Sequence, residues 1–149
     1  MDLVQATILH CPVKTTLKYV GRKWTLEIVR DLFFGKTRFK DFLDANPNLT
    51  GKVLSARLRE LGESGFVEKR VMSMTPLRIE YQLTEKGYRL NRVLAELAMF
   101  AFKFKSSEVF SDGAPPTIDQ LLAYADEAFR IPKKYSGLPE IFTQKTEDG

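Results

Sequence analysis

The sequence predicts a mainly α-helical winged helix-turn-helix with a small β-ribbon and a C-terminal helical extension. Three observations predict it. Helical apolar stripes recur in four segments between Pro12 and Gly65. Two alternating segments follow, joined at "MTPL", and a longer helical stripe opens at Thr84.

Pro12 suits a first helical turn, where its missing N–H had no partner, so the first helix reads "VKTTLKYV" and stops at Gly21. "KWTLEIVRDLFF" gathers Trp24, Ile28, Val29, Leu32 and Phe33 on one side, and Gly35 ends it. "TRFKDFLDAN" is a short third helix with Thr37 as its cap and Phe39, Phe42 and Leu43 inward. Pro47 forbids its continuation. The fourth helix starts near Thr50, whose hydroxyl can cap free N–H groups. Its Leu54, Leu58 and Leu61 lie at i, i+4 and i+7, and Gly65 is the left-handed stop. "FVEKRVMS" and "RIEYQLT" then read as strands in which Val67, Val71, Ile79, Tyr81 and Leu83 alternate with polar residues.

"TEKG", Thr84 to Gly87, opens one long helix with Leu90, Val93, Leu94, Leu97, Ala101 and Phe104 on its stripe. "SDGAPP" reads as a linker. Thr117 and Gln120 make a capping box for a last amphipathic helix that stops before Pro132, and a polar tail follows.

Composition narrows the function. With 44% hydrophobic and 28% charged residues the chain is globular, and no run approaches the ~18 apolar residues of a membrane span. "MDLVQATILHCPVK" lacks the basic start of a signal peptide, so a cytoplasmic location and no membrane partner are expected. A single Cys and a single His cannot supply a four-ligand zinc site, and no cofactor is expected. No G-x-S-x-G, Walker loop or metal cluster supports an enzyme. The net charge of +4 divides unevenly: residues 1–105 carry 19 Lys+Arg against 11 Asp+Glu, and the remainder 4 against 8. The basic part is where a polyanionic partner would bind.

In a helix-turn-helix the second helix lays its N-terminal residues in the major groove of double-stranded DNA. With the leucines inward, the fourth helix turns Lys52, Ala56, Arg59 and Glu63 outward, with Ser55 at the border. Lys52 and Ser55 can meet base edges, and Arg59 suits a phosphate or a marginal base. Thr50 and Gly51 sit where free N–H groups favour a phosphate. Lys36, Arg38 and Lys40 at the third helix, and Lys69, Arg70 and Arg78 on the ribbon, would track phosphates without reading sequence. The plain alternative is a solvated charged face. The rival function is a winged helix that contacts another protein through the same surface.

At these residues the chain resembles the HxlR-type family of winged helix-turn-helix transcriptional regulators, relatives of the MarR type. The matching features are Cys11-Pro12, Gly21 with Lys23-Trp24, Gly35 with Arg38-Phe39, "LTGKVLSARLRELGESGFVEKR", Pro76 and "YQLTEKG". The resemblance implies a homodimer on a pseudo-palindromic operator, dimerised through the first helix and the long helix after the wing. Residues 1–105 are then a DNA-binding domain that includes the dimerisation helices, and 106–149 an extension outside the resemblance. Two departures stand out. Arg22 replaces a second Gly, and Gly62 replaces an acid, which predicts an early or frayed helix end. Many family members use the Cys matching Cys11 as a redox or electrophile sensor. Cys11 also sits at a helix start, where N–H dipoles favour a thiolate, although a lone Cys is commonly a small buried hydrophobe. No effector follows from the sequence. Phe100, Phe102, Phe104 and Phe110 could line a pocket, but core or dimer packing explains them as well.

Overall fold

A computed structural model describes residues 9–114 and 116–135, so the polar tail beyond 135 lies outside the described residues. The elements run α1 (Pro12–Val20), α2 (Thr25–Phe33), α3 (Phe39–Ala45), α4 (Gly51–Glu63), β1 (Val67–Met74), β2 (Leu77–Leu83), α5 (Glu85–Tyr88), α6 (Asn91–Phe104), α7 (Ser106–Val109), α8 (Ile118–Ala128) and a 3-10 turn at Lys133–Tyr135. The chain is a winged helix-turn-helix, mostly helical with one two-stranded antiparallel sheet.

The core gathers around α2, α3 and α4. Ile28, Val29, Phe42, Leu54 and Leu61 are essentially sealed from solvent, and Leu58, Phe66, Val67, Leu83, Leu90 and Leu94 close over them. A polar network sits inside this apolar frame. Asp31 is buried and accepts from Arg30 at 2.8 Å and from Asn46 Nδ2 at 2.7 Å. The same Asn46 Nδ2 donates to the Phe42 carbonyl at 2.8 Å, and its Oδ1 accepts from Arg30 at 3.2 Å. Every buried side-chain polar atom among the described residues has a partner, as a low-dielectric interior demands.

Helix boundaries differ from the sequence reading where backbone bonding overrides pattern. Trp24 does not begin α2 but precedes it at φ 76, a left-handed conformation costly for an aromatic residue. The cap of α3 is Arg38 rather than Thr37. An arginine side chain cannot accept, so the capping comes from Asp41, whose Oδ2 takes the Arg38 N–H at 3.0 Å. Helix α4 does not end early at Gly62. The Phe66 N–H reaches the Leu61 carbonyl at 2.9 Å and the Gly65 N–H the Gly62 carbonyl at 3.1 Å, with Gly65 at φ 78. This is a Schellman closure, and it holds the last turn through Glu63.

The ribbon pairs Val67 with Leu83, Lys69 with Tyr81 and Arg70 with Glu80, and slips at a bulge between Val71 and Ser73. Its turn is only Thr75-Pro76, joined by a cis bond. Val71 alternates with polar residues as Val67 does but is exposed, because the distal half of the ribbon projects past the core. The helix expected from Thr84 is two helices. Gly87 is buried, and a Cβ there would stand 2.1 Å from the Phe66 carbonyl oxygen, so α5 is pressed onto the start of β1. The Leu90 N–H then bonds Gly87 rather than Lys86, and α6 leaves in a new direction. A short helix, α7, forms just before the "SDGAPP" linker, where the sequence pattern assigns no element. The Thr117–Gln120 capping box forms as expected, with N–H bonds of 3.3 and 2.9 Å. Phe129, just past α8, packs edge-on against Phe33 at 5.7 Å and is buried in the main core.

Two outcomes follow. Asn46→Ala leaves buried Asp31 short of a donor and should destabilise the fold by about 2–3 kcal/mol, read as a lower urea midpoint with an unchanged slope. Gly87→Ala should cost at least as much, because the atom it meets is backbone and cannot swing away.

Candidate nucleic-acid interface

Thr50 caps α4 by accepting the Val53 N–H at 3.3 Å. Leu49 and Leu54, at the staple positions either side of the cap, are both buried. With Leu58 and Leu61 they fix the rotation of the helix. Lys52, Ser55 and Arg59 consequently face solvent, and Ala56 is half-buried beside them. Gly51 opens the helix near Phe39. A Cβ there would lie 3.7 Å from the ring, an ordinary contact, so packing alone does not require glycine.

A cleft of about 390 Å³ runs between α4 and β1, lined by Ser55, Leu58, Arg59, Lys69 and Tyr81, with Glu63 at its far end. The strand pleat turns Lys69 to the same side as Val67 and so toward α4. Burial pushes the Tyr81 phenol above its ordinary pKa, so it stays a neutral wall of this cleft at any working pH. The Tyr81 N–H donates to the Thr37 carbonyl at 2.8 Å. That bond places the loop bearing half-buried Lys36 and exposed Arg38 against β2, with exposed Lys40 on the first turn of α3.

Arg70 and Arg78 are not part of this convergence. They lie on the other ribbon face, where Arg70 pairs with Glu68, and Arg78 with Glu80 at 2.6 Å. In contrast, Lys36, Arg38, Lys40, Lys52, Arg59 and Lys69 have no carboxylate partner among the described residues. Cations without a bound acid can meet a phosphate without first breaking a pair.

Sequence reasoning missed the residues that hold this surface in place. Arg57 Nε donates to the Lys23 carbonyl at 2.9 Å, and its Nη1 reaches Glu60 at 3.1 Å. Glu60 also receives Arg22 at 2.8 Å. The left-handed Trp24 turn is therefore tied directly to α4, and Arg22 finds a partner there. The only sequence signal was the i, i+3 spacing of Arg57 and Glu60. Cys11 stands at the start of α1, exposed and unpaired, so the buried-hydrophobe reading fails. No group of three potential metal ligands and no membrane-spanning helix occurs among the described residues.

Comparison with known proteins agrees with this architecture. The HxlR-like helix-turn-helix model matches residues 19–109. The HTH-type transcriptional regulator YodB of Bacillus subtilis is 35% identical over 95 residues, spanning 63% of this chain and 85% of YodB. The uncharacterized HTH-type regulator YdeP of the same organism is 37% identical over 95 residues, 64% of this chain and 74% of its own. Among solved structures, the reduced form of B. subtilis YodB superposes with TM-score 0.56 at 34% identity, over 64% of this chain and 95% of YodB. The redox regulator HypR in its reduced form gives TM-score 0.61 at 31% identity, over 67% of this chain and all of HypR. The family match ends at 109, before α8.

Arg57→Ala should lower stability by about 1–2 kcal/mol through the lost charge-assisted bond. Arg22→Ala should change it by less than about 0.5 kcal/mol, its side chain being mostly exposed. Parallel thermal melts check the ranking.

Proposed function

The chain belongs to the HxlR-like helix-turn-helix family, and from that premise we propose that it is a cytoplasmic homodimer reading a pseudo-palindromic operator in double-stranded DNA. Its family and relatives are DNA-binding transcriptional regulators rather than enzymes. The observation that carries the finer reading is the outward face of α4. Lys52, Ser55 and Arg59 are exposed, without carboxylate partners among the described residues, and held at a fixed rotation by three buried leucines.

In this reading Lys52 and Ser55 enter the major groove and Ala56 lets the helix approach closely. Arg59 and Lys69 take phosphates from the two sides of the α4–β1 cleft. Thr50 and Gly51 present the first N–H groups of α4 to a backbone phosphate. Lys36, Arg38 and Lys40 extend the phosphate track. Arg70 and Arg78 would lie along the wing's outer face and exchange their carboxylates for phosphates at some cost. A two-fold dimer places the two α4 helices in successive major grooves about 34 Å apart.

A second reading concerns regulation. Cys11 is exposed at the first turn of a helix that carries no acid there, and two of the similar structures are redox regulators by name or were solved after diamide treatment. We infer that oxidant or electrophile modification of the Cys11 thiol alters operator binding.

Lys52→Ala should cost about 1–3 kcal/mol of discrimination between operator and scrambled duplex. Lys69→Ala should weaken both duplexes alike and reduce the slope of log K against log salt by about one. Arg78→Ala should do the same by a smaller amount, given its pairing with Glu80. Fluorescence anisotropy over a salt series measures all three. Full operator affinity in the Lys52 and Lys69 variants together would overturn the reading face, and a salt-independent affinity would favour a protein partner instead. For Cys11, peroxide or quinone should shift operator affinity in the parent chain and not in Cys11→Ser. Unchanged affinity with the thiol shown modified by mass spectrometry would reject the sensor.

A further inference from the structure

Helix α6 has two apolar faces. Leu90 and Leu94 enter the core, whereas Val93, Leu97, Phe100 and Phe104 are exposed. Opposite them, the first turn of α8 presents Ile118 at 72% exposure. Between the two elements lies an apolar cleft of about 1110 Å³, with Val93, Leu97 and Phe100 on one wall and Pro116, Ile118 and Leu121 on the other. The first wall belongs to the segment matched by the family model; the second lies beyond it.

Helix α1 poses the complementary problem. Only Val20 of its nine residues is buried. Val13 and Leu17 stand one turn apart on it, exposed by 67% and 53%, and Leu9, in the bend before the helix, is exposed by 87%. A helix this short does not hold itself in water, where about 12–15 residues are marginal even for favourable sequences. Its stripe therefore needs a surface that the described residues of its own copy do not supply. Pooled over α1, α6 and α8, the uncovered apolar surface is on the order of 800 Å², what each partner of a stable interface buries. Each chain carries both the stripe and the cleft, so a two-fold pair satisfies both twice.

We propose that the cleft between α6 and α8 receives Val13 and Leu17 of α1 from a second copy of this chain, so that the C-terminal extension builds one wall of the dimer socket. This rests on the homodimer reading and adds to it the role of residues outside the family core. The mode is a helix in a groove, with anchors one turn apart.

Sedimentation equilibrium of the full chain tests it. The parent should be dimeric. Ile118→Glu and Ile118→Lys should each raise the dimer Kd by roughly tenfold or more, since either places a charge in an apolar seam. Helical content should stay unchanged, Ile118 being exposed in the single copy. Val13→Glu should do likewise, and Val13→Glu combined with Ile118→Lys should recover part of the loss. A parent dimer that Val13→Glu dissociates, while both α8 variants keep Kd within about twofold, would overturn the socket and leave the homodimer standing. A parent chain monomeric at tens of micromolar (about 50 μM, well above the Kd of a stable dimer) would overturn both.

Discussion

Asn46 joins the end of α2 to the end of α3 at the point where the chain turns toward α4. It donates to Asp31 at 2.7 Å and to the Phe42 carbonyl at 2.8 Å, and its own carbonyl takes the Leu49 N–H at 2.9 Å. A buried carboxylate is costly unless its lone pairs are filled, and here Arg30 and Asn46 fill them. The arrangement has one satisfied geometry, so the angle between α2 and α3 has little freedom. Leu49 leaves this hub directly into the staple of α4, and the outward direction of Lys52 and Arg59 is inherited from it.

The other end of α4 is fixed by different chemistry. The Schellman closure at Gly65 turns the chain into β1, and Thr84 Oγ1 donates to the Gly65 carbonyl at 2.6 Å from the far strand. Lys86 Nζ reaches the Ser64 carbonyl at 2.7 Å. The ribbon base is thus bound to the helix end by hydrogen bonds and by buried Phe66, Val67 and Leu83. Its tip has no such support, since Val71, Met72, Met74 and Leu77 are all exposed. Position is rigid where the cleft lies and looser where the wing extends.

Local chemistry was legible in the sequence, and long-range chemistry was not. Thr50 and Gly65 announced both ends of α4, and the 3.6-residue period announced its leucines. Lys69 and Arg70 were grouped as basic neighbours, although a period of two assigns them to opposite faces, with Glu68 and Glu80 on the face of Arg70. The break between α5 and α6 depends on Gly87 meeting the Phe66 carbonyl, 21 residues away in the chain. Asp31 and Asn46 are 15 residues apart, and Arg57 meets a carbonyl 34 residues before it. Polar contacts at such separations leave no periodic trace, and these are the ones that orient the candidate site.

The same contacts decide how α1 communicates with α4. The turn from Gly21 to Trp24 joins α1 to α2, is left-handed at Trp24, and touches α4 through Arg57 and Glu60. Strain of this kind, of order 1–3 kcal/mol, persists only where neighbours over-determine it. The Arg22–Glu60 pair is too exposed to do so, as surface pairs contribute ~0–1 kcal/mol. Arg57 is better placed, because its guanidinium is mostly buried and bonds both a backbone carbonyl of the turn and Glu60. Arg57 lies one residue from Ala56 and two from Ser55 and Arg59. Of the polar links between the N-terminal turn and α4, the Arg57 bond to the Lys23 carbonyl is therefore the more sheltered and stands beside the proposed reading face, while buried Val20 joins α1 to the same core as the α4 leucines.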